Sequence, residues 1–209
     1  MKTMKNFVKI AAVSVALFLS SAQTSSAQYE LGTNVINAGI GIGSTLLSGY
    51  SGSGFSQTPG IGVSFEHGTW ELGDGIVSLG AYIGYKSYKW EDTYETYNFS
   101  TGNYINVTAT DKWSYTIVGA RGAYHFPISN DKVDLYAGLM LSYNILSYSY
   151  TTNDPNYNGA LDNYSGSYGS GVGFSAFGGI RYYLTDNIGL NAELGYGVSY
   201  LTLGVSFKF

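Results

Sequence analysis

The chain has no cysteine. That excludes a disulfide framework, a thiolate metal site and a lipid-anchored N-terminal cysteine. It is also poor in charge. Asp, Glu, Lys and Arg together make up 11% of 209 residues, against roughly 25% in ordinary soluble domains. No stretch approaches the ~18 consecutive apolar residues of a membrane-crossing helix. There are only two histidines, His67 and His125, and their separation matches no metal-binding motif such as H-E-x-x-H. No G-x-S-x-G is present. A low charge that coexists with neither a helical span nor a cysteine staple is awkward for a soluble domain. It is natural for a sheet whose strands turn one face to lipid and the other inward.

What is abundant is tyrosine, at 21, and glycine, at 29. The N-terminus carries Lys2, Lys5 and Lys9, then the largely apolar stretch from Ile10 to Leu19, which is too short to span a bilayer. Two small-residue sites follow, Ser20-Ser21-Ala22 and Ser25-Ser26-Ala27. This order predicts a secretory signal peptide over residues 1–27, cut after Ala27, and a mature domain over 28–209. Loss of its three lysines would lower the ten basic residues to seven against fourteen acidic ones, which argues against nucleic acid as a partner.

The last nine residues alternate strictly. Leu201, Leu203, Val205, Phe207 and Phe209 are apolar, and Thr202, Gly204, Ser206 and Lys208 lie between them. Period-two alternation marks a strand with one apolar and one polar face. Seven further strands are predicted on the same ground: Asn34 to Leu46, Ile61 to His67, one starting at Ile76 and running past Tyr85, Lys112 to Phe126, Val133 to Ile145, Val172 to Tyr182 and Ile188 to Tyr196. The Lys112–Phe126 stretch is ambiguous by pattern, with apolar residues on both faces. A lipid-facing Arg at mid-membrane would cost about 2–4 kcal/mol, so Arg121 is expected to point inward. About ten residues per strand, at ~3.3 Å each and tilted ~45°, rise ~23 Å and match an apolar band of ~25 Å.

Connections alternate long and short. Leu47 to Gly60, Trp90 to Asp111 and Thr151 to Gly171 are long; Gly68 to Gly75, Pro127 to Lys132 and Thr185 to Asn187 are short. The last connection, Gly197 to Tyr200, is also short and breaks the pattern. Outward aromatics fall into two groups: Phe65, Tyr124, Phe126, Tyr182, Phe207 and Phe209 toward the short-turn rim, and Tyr85, Tyr143 and Tyr196 toward the long-loop rim. Two belts of this kind sit where amphipathic rings prefer the membrane interfaces.

The order polar-apolar-Gly-x-x-aromatic-x-aromatic on Thr202, Leu203, Gly204, Phe207 and Phe209 resembles the C-terminal signal by which outer-membrane barrels are recognised for insertion. With the signal peptide and the loop alternation, the whole mature chain resembles the small eight-stranded outer-membrane β-barrel proteins of the OmpX, OmpW and OmpA-barrel type. The resemblance implies an all-β, eight-stranded, antiparallel up-and-down transmembrane barrel in a bacterial outer membrane. Its partners would be outer-membrane lipid and the barrel-assembly machinery, with Gly204, Phe207 and Phe209 as the insertion signal. With Phe209 last, no peptidoglycan-binding domain is expected.

Four inward charges form the sharpest constellation: Glu66, Arg121, Arg181 and Glu193. Charges taken out of water must be paired and hydrogen-bonded. Arg181 and Glu193, on strands joined by a tight turn, are placed for a diagonal contact. The set reads as an ion network plugging the barrel or, alternatively, as a polar gate. His67 and His125 are expected at the short-turn rim, hydrated or bonded locally, and Ser129 would not share a strand face with His125. No catalytic residue, metal ligand or cofactor is expected. Asp154 and Asp162 lack the spacing of a calcium loop. The run Gly39-Ile40-Gly41-Ile42-Gly43 lacks the rest of a nucleotide-binding fingerprint; glycines on the inner face are expected to make room for large inward residues such as Tyr82, Trp113, Tyr136 and Tyr183. The long loops carry Trp90, Tyr94, Tyr97, Tyr104, Tyr157 and Tyr164, an adaptable adhesive surface for an extracellular ligand or merely strands continuing past the membrane as a solvated collar. The expected function is a structural or surface-interaction role through these loops. The alternatives are a narrow porin-like passage and, third, lipid modification.

Overall fold

The computed structural model describes residues 29–46, 53–157 and 169–209, together with the backbone of 163–165. The predicted signal peptide, Asp162, Tyr168 and the side chain of Tyr164 lie outside the described residues. Among the described residues the chain is all strand: β1 (Asn34–Ile42), β2 (Phe55–Gln57), β3 (Gly60–Leu72), β4 (Gly75–Asn98), β5 (Asn103–Phe126), β6 (Val133–Thr152), β7 (Asn163–Ser165), β8 (Gly171–Tyr183), β9 (Ile188–Tyr196) and β10 (Leu201–Lys208). β2 and β7 are short additions on β4 and β6. The other eight pair antiparallel in a ring, β1-β3-β4-β5-β6-β8-β9-β10, which β10 closes on β1 from Val35↔Lys208 to Ile42↔Leu201. Closure gives every strand of the ring a paired neighbour on both sides, which a spanning sheet requires because hydrocarbon offers no hydrogen bonds.

The distribution of side chains is inverted relative to a soluble protein. Ile40, Leu141 and Val172 are 57%, 62% and 74% exposed, while Glu66, Arg121, Asp134 and Arg181 are buried. Along β6 the alternate residues Val133 to Ile145 are exposed or half-exposed, and those between them, Asp134 to Asn144, are buried or half-buried. Arg121 points inward, as the cost argument required. The interior is polar and the exterior is a continuous apolar band, the arrangement of a lipid-embedded barrel.

Several strand bounds differ from the sequence expectation. β1 ends at Ile42 because Gly43 takes φ +72°, and any Cβ there would lie 2.2 Å from the Tyr200 ring. β3 continues past His67 to Leu72 through a bulge between Gly68 and Trp70, so its turn is Gly73-Asp74 rather than Gly68 to Gly75. The bulge receives the N-terminal segment: Gly32 N–H donates to Gly68 O and Gly68 N–H to Thr33 O, each at 2.9 Å. Trp90 to Asp111 is not an irregular loop. It is a paired hairpin that carries β4 and β5 unbroken from the short-turn rim to Asn98↔Asn103. β6 likewise continues to Thr152, still paired with Ala109 of β5.

Candidate functional site

The lumen is filled in layers. Next to the short-turn rim, β3 sends Glu66 inward, β5 Arg121 and His125, β6 Asp134, β8 Arg181 and β9 Glu193. Arg181 is central. Its Nη2 donates to Glu66 Oε2 and its Nη1 to Asp134 Oδ2, each at 2.5 Å, and its Nε donates to Asn37 Oδ1 at 3.1 Å. Its guanidinium lies 4.1 Å over the Tyr136 ring. Arg121 Nη2 reaches Glu193 Oε1 at 2.7 Å and Glu66 Oε1 at 3.0 Å, and stacks 4.1 Å over Phe177. Tyr136 Oη donates to Glu193 at 2.9 Å. Asn37, Ser64, Asn191 and Ser206 extend the hydrogen bonding around the ring.

The structure therefore brings the four predicted charges together, with different partners from those expected. Glu193 pairs with Arg121 across the lumen, not diagonally with Arg181, because Arg181 is already shared by Glu66 and Asp134. Two members were missed. Asp134 lies on the inward face by alternation from Val133 and belongs with these charges. Of the two expectations for His125 at the rim, hydrated or bonded locally, the second holds: it is 3% exposed, and Tyr29 of the N-terminal segment stacks on it at 3.5 Å and 5°. Its Nδ1 lies 2.8 Å from Asp134 Oδ1 and its Nε2 lies 3.0 Å from Ser78 Oγ. His67, by contrast, is exposed at the rim against Asn34 Oδ1.

The order Ser78–His125–Asp134 has the spacing of a hydrolytic triad. Its surroundings do not suit one. Ser78 is 0% exposed, and the void that touches His125 and Asp134 measures only about 20 Å³. The second oxygen of Asp134 is bound to Arg181. As built, the relay ties β4, β5 and β6 together beneath Tyr29.

Above the ionic layer Tyr82 leans against glycine. A Cβ at Gly62 or Gly84 would lie 2.3 or 2.5 Å from Tyr82 Oη, and one at Gly179 would lie 2.5 Å from the Tyr136 ring. The inward glycines make room for the large rings, as the sequence suggested for Tyr82 and Tyr136. Two voids beside Tyr82 hold about 50 and 40 Å³. Higher still, Tyr88, Tyr115, Ile117 and Leu146 form an apolar cluster against which Phe55, Trp113 and Val198 pack. Lys86 is buried beside it and donates to Gly43 O at 2.8 Å. Between the ionic layer and the aromatic cluster a larger cavity of about 340 Å³ lies among Thr45, Ser142, Asn144, Gly173, Ser175 and Val198.

Beyond the outer belt stands the collar built by β4, β5 and β6. Trp90 packs on Phe55 of β2. Tyr97 makes edge contacts with Phe99 and Tyr104 at 5.4 Å, and Phe99 and Tyr104 are 79% and 72% exposed at the hairpin tip. Tyr94 Oη faces Asp154 at 3.5 Å, and Tyr157 meets Tyr150. Tyr148 Oη donates to Asp111. Partial burial, and then that carboxylate acceptor, push the Tyr148 phenol above its ordinary range. Tyr164 pairs through its backbone with Tyr148.

A closed antiparallel ring with an apolar exterior, an ionic interior and tall strands on one rim is an integral outer-membrane β-barrel. The chain belongs to the family of outer membrane protein beta-barrel domains, whose model matches residues 10–209, and its location is the bacterial outer membrane. No curated protein is similar enough in sequence to count as a match. Solved structures that resemble it include Ail, the attachment invasion locus protein of Yersinia pestis, in complex with the heparin analogue sucrose octasulfate. That protein is 13% identical over 86% of this chain and 100% of the other, with a TM-score of 0.45. The N-terminal β-barrel domain of Pseudomonas aeruginosa OprF is 15% identical over 86% and 98%, with a TM-score of 0.43. Neisserial surface protein A is 18% identical over 85% and 96%, with a TM-score of 0.41.

Proposed function

We propose that the barrel is a closed anchor and that the tyrosine-rich collar is the working surface, engaging an extracellular ligand or surface. The observation that carries this reading is the exposed Tyr97–Phe99–Tyr104 cluster, held at the tip of a hairpin paired along its whole length. Apolar rings displayed to water on a rigid support are what a binding surface needs, since little ordering remains to be done on contact. The ionic layer, with voids of only about 50 and 40 Å³ beside Tyr82 and Arg121, supports the anchor role over a porin-like passage, and the sealed surroundings of Ser78 support a non-enzymatic role. In the same reading residues 1–27 are removed on export, residues 28–209 form the barrel domain, and Gly204, Phe207 and Phe209 present the insertion signal to the assembly machinery.

The test has two arms. Cells displaying the chain are assayed for retention on arrayed glycans and matrix proteins, beside a Tyr97→Ala/Phe99→Ala/Tyr104→Ala variant. Loss of central aromatic anchors costs about 2 kcal/mol or more, roughly thirty-fold in affinity, while barrel stability stays within about 0.5 kcal/mol, as for exposed substitutions generally. Equal retention of the two would remove the collar from the mechanism. In the second arm the purified chain is placed in planar bilayers; a steady conductance would favour the passage instead.

A further inference from the structure

Four glycines lie side by side across four neighbouring strands. Gly204 of β10 is opposite Gly39 of β1, Gly39 is opposite Gly62 of β3, and Gly62 is opposite Gly84 of β4. All four lack a side chain on the lumen face, and the wall there closes directly on Tyr82 and Thr202. On the outer side of the same row lies a groove of about 640 Å³. Its floor is glycine backbone, and its sides are Ala38, Ile40, Ile61, Val63, Ile83 and Leu203. The groove is almost wholly apolar and opens onto the part of the wall that hydrocarbon bathes.

Its upper end has a different chemistry. Tyr85 and Thr116 border it, and Tyr85 Oη donates to Ser114 Oγ at 3.1 Å. Four residues further along the same two strands, Lys89 of β4 is directly opposite Lys112 of β5, on the same outer face as Tyr85 and Thr116. At ~3.3 Å per residue on a tilted strand, that places both ammonium groups roughly 10 Å above the groove, at headgroup height. Like charges directly opposed across a ladder are unfavourable unless something neutralises them. Glu91 does so in part, 2.9 Å from Lys89, which leaves the outer face at this height with two cations to one anion.

We propose that this wall holds one phosphate-bearing lipid of the outer leaflet. An acyl chain lies in the glycine-floored groove, and the phosphate is held by Lys89 and Lys112. The fit is two-part. The groove selects a single flexible hydrocarbon chain over the flat packing available elsewhere on the barrel, and the lysine pair selects an anionic headgroup. Lysine stems lie down along the apolar wall while their ammonium groups stay at the interface.

The experiment uses the chain purified from outer membranes and placed in phosphatidylcholine nanodiscs. These contain a small share of phosphatidylglycerol bearing a diazirine on its acyl chain. Crosslinks are expected to concentrate on peptides carrying Ile40, Ile61 and Ile83 and to be sparse on the opposite wall around Leu139 and Leu141. Ala38→Phe, which fills the groove from outside without touching the lumen, abolishes that concentration. K89Q/K112Q keeps the crosslink position but lowers the preference for the anionic probe over its phosphatidylcholine analogue by about five-fold per lysine. Heat-modified gel mobility confirms that each variant is a folded barrel. Even labelling around the barrel, or an unchanged pattern in Ala38→Phe, overturns the groove assignment. An unchanged headgroup preference in K89Q/K112Q overturns the phosphate assignment. Crosslinks between two copies through the groove in place of lipid would show that a second chain fills it.

Discussion

Replacing Arg181 with leucine removes the centre of the ionic layer while keeping most of the side-chain volume. Glu66 Oε2 and Asp134 Oδ2 lose their donor, while Asn37 Oδ1 loses one donor and keeps Ser206 Oγ at 2.7 Å. Glu66 retains Arg121 at 3.0 Å, and Asp134 retains His125 at 2.8 Å, so neither carboxylate is left wholly without a partner. Breaking one partner out of a buried ion pair costs about 3–5 kcal/mol. The surviving contacts place R181L near the lower end, about 3 kcal/mol. The measurement is urea unfolding in lipid vesicles, followed by emission from Trp70, Trp90 and Trp113. The midpoint should fall with little change in the denaturant slope, because the surface exposed on unfolding is unaltered. A double-mutant cycle with Asp134→Asn sharpens the test. Once Asp134 carries no charge, losing Arg181 should cost less, with a coupling of about 0.5–3 kcal/mol. A loss under about 1 kcal/mol, or strict additivity in the cycle, would refute the view that Arg181 holds this end of the barrel together.

Other outcomes follow from the same geometry. Gly62→Ala should destabilise by about 1–3 kcal/mol through collision with Tyr82, and this cost should vanish in a Tyr82→Ala background. The collar should weaken at alkaline pH. With the Tyr148 phenol raised by burial and by Asp111, the folded collar holds its proton while the unfolded chain ionises near the ordinary value of 10.0; stability present below that pH is lost as pH climbs toward the folded value. The tyrosinate absorbance of wild type minus that of Tyr148→Phe should show one phenol titrating above the ordinary value, and a difference that titrates at the ordinary value would contradict the assignment. A fluorophosphonate probe should leave Ser78 unlabelled in the folded barrel, and labelling abolished by Ser78→Ala would instead establish a working nucleophile.

Period-two alternation was enough to read the ring of eight strands and the orientation of each face, and the energetic cost of a lipid-facing Arg settled the ambiguous β5. It could not supply the partners within the lumen. Arg121 and Glu193 sit on β5 and β9, which are not neighbours in the sheet; what brings them together is the closure of the ring, and closure leaves no local mark in the chain. The burial of His125 is illegible for a related reason. His125 lies one residue from the end of β5, where a side chain is ordinarily wet, and the return of the N-terminal segment with Tyr29, together with Tyr136, covers it. The hairpin of β4 and β5 was hidden by composition: from Glu91 to Asp111 polar residues occupy both faces, as they can where water replaces lipid, so pairing persists after the apolar period has stopped.

The join between β1 and β10 links opposite ends of the polypeptide, with Ile36 beside Phe207. Contacts so distant in sequence form late and slowly. Until that zipper engages, β1 and β10 each offer a bare hydrogen-bonding edge beside a greasy surface, a combination prone to clumping in an aqueous compartment. The barrel thus has no useful half-built state. A chain shortened by its terminal strand forfeits the whole vessel, not one stave of it.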